Sequence, residues 1–271
     1  MSMTDAESDS NGQIQRQEDL PLQQHHLIIE EGINKLGGRI RASLRSAWRH
    51  LRLSWTLHPI DSEMSLFRAI TAEEEAASAL MLALKQRRYP GAQKLKPRDH
   101  SHKSAISPFL DAVGNMLAGA DLPPSKLTIK REDRPAIHIS LDLGAIVKHP
   151  NLRFAQPDNP FNFTLSVEGN AYMFEKELLE IATGSGAESI RQHVQNETNL
   201  RNRLLYATDE GYPTVTFQDE ALLRRRDRVN RLCLLTIGIL QTKQHQLFAA
   251  QCLQAFLLML GKIENAADLS G

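Results

Sequence analysis

The chain has 271 residues, 41% of them hydrophobic and 24% charged, and its 32 Lys+Arg offset 32 Asp+Glu for a formal net charge of zero. These values are ordinary for a globular protein with a sizeable core, in one large domain or two small ones. They exclude a uniformly basic nucleic-acid wrapper, but the zero total hides strong local asymmetry.

Residues 1–25 are rich in Ser, Asp, Asn and Gln. They cannot bury enough apolar surface to offset ordering entropy, so they read as a disordered acidic tail. Across residues 1–31 the acids are Asp5, Glu7, Asp9, Glu18, Asp19, Glu30 and Glu31, against Arg16 alone. Residues 32–58 reverse this, with Lys35, Arg39, Arg41, Arg45, Arg49 and Arg52 and no acid.

A helical region is expected over residues 26–120. From Leu27 to Trp55, Ile29, Ile33, Leu36, Ile40, Leu44, Trp48, Leu51 and Trp55 recur at helical spacing. Arg41, Arg45, Arg49 and Arg52 gather on the opposite side, and Gly37-Gly38 weakens or splits the middle. A second helix is capped by Asp61 or Ser62 and runs to about Arg88. Its apolar stripe of Phe67, Ile70, Ala77, Met81 and Leu84 contains Glu74, which must be paired with a base such as Arg98 or His102, or else serve as a catalytic carboxylate. A third helix is expected to start at Ser107-Pro108 and end near Gly119.

Between the second and third helices, Lys85–Lys103 carries Lys85, Arg87, Arg88, Lys94, Lys96, Arg98 and Lys103 against Asp99. Lys94, Lys96 and Arg98 are candidate polyanion contacts, and Tyr89 is a candidate stacking ring. At the end of this linker, Asp99, His100 and His102 form a candidate metal cluster, with both imidazoles on one side of an extended loop and Asp111 or Glu74 as a further ligand. Their spacing matches no zincin or zinc finger.

Residues 121–271 read as an α+β region. "KLTIKRE" (126–132) and "AIHISLDL" (136–143) alternate with period two around a turn at Asp133-Arg134-Pro135. A second hairpin spans Phe161–Phe174 with its tip at Glu168-Gly169-Asn170, and Thr214–Phe217 suggests a further strand. Helices are expected at about 175–182 and 187–207, joined by a "TGSG" connector (183–186) that lacks P-loop spacing. "RRRDR" (224–228) plus Arg231 is a third basic patch. The last 45 residues read as one long kinked apolar helix or a helical pair, broken near Gly238 or Gln241–Gln244. Its cover is the core or a second chain, so a protein partner or homo-oligomer is expected through these helices.

Cys233 and Cys252 lie in apolar helical sequence, with no paired-cysteine metal spacing. No secretory pattern opens the chain. The apolar run at 232–240 is too short to span a bilayer and the one at 247–261 is interrupted by Gln251 and Gln254. A cytoplasmic protein without a membrane span or cofactor is therefore expected.

The fold class is α+β: a helical N-terminal half, a small antiparallel sheet and long apolar C-terminal helices. The leading functional expectation is a non-enzymatic binding or assembly subunit. It contacts nucleic acid or another polyanion through Arg41, Arg45, Arg49, Arg52, Lys94, Lys96 and Arg98. The alternatives are a metal-dependent hydrolase or nuclease built on Asp99, His100 and His102, and a purely protein–protein adaptor.

Overall fold

The computed structural model describes residues 19–119, 125–130, 136–142, 154–155, 157, 159–162, 165–167, 170–206, 211 and 214–268. Most of the expected acidic tail therefore lies outside the described residues.

Helices α1 (Gln24–Asn34) and α2 (Gly38–Leu57) together carry the apolar stripe foreseen from Leu27 to Trp55. They are separate because Gly38 sits at φ +58°, a left-handed conformation open to a residue without Cβ. Ile29, Ile33, Leu44, Trp48 and Leu51 are buried across both helices.

Helix α3 (Ser62–Gln86) starts where the Asp61 carboxylate accepts the Met64 N–H at 2.8 Å. Its buried face is built from Ala69, Ala72, Ala76, Ala79 and Ala83. Small side chains let α2 approach closely, and Ser54 and Ser65 each donate a hydroxyl to the other's carbonyl, at 2.7 and 2.8 Å.

Helix α4 (His100–Gly119) begins seven residues before the expected Ser107 start. Asp99 is the cap, its carboxylate accepting the His102 N–H at 3.1 Å. Pro108 lies inside the helix rather than in its first turn, so the ladder lacks the bond from residue 108 to the Ser104 carbonyl.

Strands β1 (Ser125–Lys130), β2 (Ala136–Asp142) and β3 (Phe154–Ala155) form one antiparallel sheet in that order, with Leu127 opposite Ile139. Strands β4 (Leu165–Val167) and β5 (Asn170–Tyr172) form a separate hairpin. The turn at 133–135 and the tip residues 168–169 lie outside the described residues. Thr214–Phe217 is not a strand; the Val215 N–H is taken by the Glu63 carboxylate at 2.6 Å.

Helices α5 (Glu175–Thr183) and α6 (Ser185–Leu205) meet at Gly184, which ends one and begins the other. The "TGSG" stretch is therefore a one-residue joint rather than a connector.

Helices α7 (Asp219–Leu240) and α8 (Leu247–Asp268) break at 241–246, and Gly238 stays within α7. A Cβ on Gly238 would fall 2.4 Å from the Phe161 ring, so the close approach of that ring requires glycine. Leu232, Cys233, Ile237 and Ile239 of α7 are buried. The Leu247–Asn265 stretch of α8 is long and apolar enough to cross a membrane by length and composition. In the fold, Phe256, Met259, Leu260 and Ile263 of this helix are buried.

Two glutamines tie strand β2 and the segment at Phe161 to the C-terminal pair. Gln241 accepts the Ile137 N–H at 2.8 Å and donates to the Ile137 carbonyl at 3.2 Å. The fully buried Gln246 accepts the Phe161 N–H at 2.7 Å and donates to the Gly238 carbonyl at 2.8 Å. One continuous apolar core thus draws on residues from Leu20 to Ile263. A helical N-terminal half, a small antiparallel sheet and apolar C-terminal helices make the fold α+β.

His26, 1% exposed, is set beside Trp48 and accepts the Gln23 N–H at 3.0 Å. Burial, helped by His25 and Arg226, pushes its pKa from 6.5 down to about 4. Between those values the unfolded chain binds a proton that the fold refuses, so stability is complete above pH 6.5 and falls as pH drops towards 4. The expected loss is on the order of 2 kcal/mol. Thermal midpoints from pH 7 to 4 should fall more steeply for the wild type than for His26→Gln.

Candidate anion-binding site

The bases of this chain divide into two populations. Those of the 224–231 stretch, apart from the exposed Arg224, are paired within the fold. Arg225 bridges Glu73 and Glu197, each at 2.9 Å. Arg228 and Arg231 share Asp111, at 3.1 and 2.7 Å. Arg226 binds Asp227 at 2.8 Å and the Pro21 carbonyl at 2.5 Å. The expected third basic patch is therefore a structural charge network that ties α7 to α3, α4 and α6.

Helix α2 presents the opposite case. Arg39, Arg41, Arg45 and Arg49 are exposed, and among the described residues they form no ion pair. The cause is local: α2 has no acidic residue, and its arginines occupy the face away from Leu44, Trp48 and Leu51. Arg52 departs from the group. Both oxygens of the Glu30 carboxylate bind it, at 2.7 and 2.6 Å, and its guanidinium lies 5.8 Å from the Trp48 ring centroid. The hydrogen bonds and charge of Glu30 hold Arg52 above its usual pKa range.

At the start of α2 the exposed face runs into a cleft of about 940 Å³. Lys35 and Arg39 line one side and Lys85 and Arg87 at the end of α3 line the other, with no Asp or Glu among the described lining residues. Gly38, Arg39 and Ile40, at the first turn of α2, also line the cleft. First-turn N–H groups have no acceptor within the helix and favour anions. Arg87 donates to the Leu240 carbonyl, while its Nε is buried without a hydrogen-bond partner among the described residues. Arg88 adopts φ +56°, turning the chain out of α3. The cleft thus brings together two basic clusters that the sequence separates by about fifty positions. Lys35, Arg39, Lys85 and Arg87 were visible as charge, but nothing local marked them as neighbours.

The linker after Arg88 turns towards α8, not α2. Lys96 pairs with Glu264 at 2.5 Å. Lys94 faces Gln254 and Lys262 of α8 across a shallow depression. Arg98 is exposed. Tyr89, the candidate stacking ring, is 1% exposed; its hydroxyl accepts the Gln246 N–H at 3.0 Å and its ring lies 4.7 Å from that of His245. It is a core residue and presents no face for a base.

The Asp99, His100 and His102 side chains do not converge. On a helix, positions two apart point away from each other. Asp99 caps α4, the partly exposed His100 reaches Glu74 through Nδ1 at 3.0 Å, and the buried His102 goes the other way. The Lys96 N–H donates to His102 Nδ1 at 3.3 Å, which leaves Nε2 to donate to Glu264 at 3.2 Å. Lys96 and His102 together hold the Glu264 carboxyl below its ordinary range. Among the described residues no group of three or more His, Cys, Asp or Glu is placed to hold a metal.

Glu74 is buried and paired, as its place in the apolar stripe demands. Its partners are His100 at 3.0 Å and Lys103 at 2.8 Å rather than Arg98 or His102. The earlier start of α4 accounts for the change, since it puts residues 100 and 103 one turn apart on the face towards α3. Both cysteines are free, and burial pushes each thiol up to about 12.

No family model, no curated protein and no solved structure matches this chain.

Proposed function

We propose that this protein is a non-enzymatic binding subunit that grips a polyanion, nucleic acid first among them, along the exposed face of α2 and into the adjoining basic cleft. The observation that carries this reading is the partition of charge. Arg39, Arg41, Arg45 and Arg49 stand exposed without ion-pair partners among the described residues, in a chain that neutralises its other arginine cluster with carboxylates. Arg39 belongs to both the helix face and the cleft, so the two form one surface with Lys35, Lys85 and Arg87. Successive arginines one turn apart can track successive phosphates, and each phosphate neutralised releases counterions. Lys94 and Arg98 extend this surface as peripheral contacts. Arg52, clamped by Glu30, contributes least.

The test is a titration against labelled single-stranded DNA, duplex DNA and RNA at several salt concentrations. Affinity should fall steeply with salt, and Arg45→Glu/Arg49→Glu should flatten the log–log slope by roughly two units. Arg225→Lys, which keeps charge in the internal network, should leave the slope unchanged. Deleting residues 1–25 should tighten binding at low salt, because a tethered acidic segment competes with phosphate at high effective concentration. No binding by wild type or tail-deleted protein near roughly 50 mM salt would overturn the reading.

A further inference from the structure

Helices α3, α4, α7 and α8 and strand β2 line a cavity of about 300 Å³ that opens to the surface, separate from the basic cleft. Its wall is apolar, with Met81 of α3, Phe109 and Val113 of α4, Ile139 of β2, Leu235 of α7 and Phe256 of α8. Protein interiors are close-packed and hold few voids larger than a water molecule. Water gains nothing here either, since it needs two to four polar partners and this wall supplies almost none. Cys252 also lines the cavity, and its protonated thiol acts as a small apolar group.

Among the described residues one charged side chain reaches the wall, Arg231. Its Nη2 is occupied by Asp111 at 2.7 Å and the Ser107 carbonyl at 3.4 Å. Its Nε–H is buried and donates to nothing among the described residues. Buried donors are rarely left unpaired in native proteins, and one carried by a residue on the wall of an apolar cavity marks a place for a ligand oxygen. The way in passes Gly114 of α4, which is exposed, lines the cavity and would meet nothing within 4 Å if given a Cβ. Its volume lies at the lower end of ligand-pocket sizes, which suits an alkyl chain of medium length.

We propose that this cavity binds a medium-chain carboxylate, its alkyl chain among the apolar walls and its carboxylate accepting the Arg231 Nε–H. The site does not use the arginines of α2, so it stands or falls separately from polyanion binding.

Calorimetric titration with octanoate, decanoate and hexadecanoate, each below its micellar concentration, tests the proposal on the wild-type protein. One-to-one saturable binding is expected, with affinity rising from octanoate to decanoate and levelling beyond it as the cavity fills. A steady rise through hexadecanoate, as for unspecific partitioning, or no saturable binding at all, overturns it. Gly114→Phe, which fills the entrance, should abolish decanoate binding. Arg231→Lys keeps a charge for Asp111 but removes the Nε donor, and should weaken decanoate by about tenfold. Unchanged affinity in either variant, with a thermal midpoint near wild type, equally overturns the assignment. Arg45→Glu/Arg49→Glu should bind decanoate as wild type does; loss of binding there would place the carboxylate on the basic surface and not in the cavity.

Discussion

Arg225→Met should destabilise the protein by about 3–5 kcal/mol, the usual cost of stranding buried charge. Arg225 Nη1 donates to Glu73 at 2.9 Å, and its Nη2 donates to both oxygens of Glu197 at 2.9 and 3.1 Å. Burial works against the charge of this guanidinium, but the two carboxylates more than offset it and hold its pKa above the usual range. Without it, Glu197 loses the guanidinium that binds both its oxygens, and among the described residues Glu73 keeps only Arg228, at 3.8 Å. The measurement is a denaturant midpoint at an unchanged m-value. Arg225→Met/Glu73→Leu/Glu197→Leu should recover most of the loss, because a buried ion network and a well-packed apolar cluster are often close in free energy. A loss under about 1 kcal/mol for Arg225→Met would mean that the network is solvated, as surface pairs are.

Glu74→Leu should cost about 3 kcal/mol for a related reason. Both Glu74 and Lys103 are more than nine-tenths buried, and their 2.8 Å contact joins α3 to α4. Removing the carboxylate leaves the ammonium without an acceptor in a low-dielectric setting. Glu74→Leu/Lys103→Met should regain most of the stability, and the double-mutant cycle reports the coupling directly. A double variant no more stable than Glu74→Leu would show that Lys103 has another acceptor. The cycle also bears on the catalytic alternative for Glu74, since a carboxylate kept only for pairing can be replaced together with its partner.

The elements with strong periodicity were legible in advance. The stripe from Ile29 to Trp55 placed α1 and α2, Asp61 marked the start of α3, and strict alternation placed β1 and β2. The start of α4 was hidden because Ser107-Pro108 imitates a helix opening, whereas the true cap, Asp99, sits in a stretch rich in loop-like residues. That one shift dissolved the apparent Asp99–His100–His102 cluster and changed the partners of Glu74. β3 is two residues long and carries no periodic signal. The role of "RRRDR" was invisible for a different reason. Charge runs do not name their partners, and Glu73 lies 152 positions from Arg225. Likewise, Lys35 and Arg39 meet Lys85 and Arg87 only because α2 and α3 pack antiparallel, which brings the start of one helix beside the end of the other.

The partition of arginines has a practical side in purification. A chain with equal numbers of acids and bases would ordinarily pass through an ion-exchange column near neutral pH. Here Arg225, Arg228 and Arg231 are matched by carboxylates, and the bases of α2 are turned out without such partners among the described residues. The exposed arginines of one helix therefore form a local positive face on a chain of no net charge. A sulfonate resin should retain it by one face, in a fixed orientation, and release it at a modest salt step as the screening length shrinks below the spacing of the arginines.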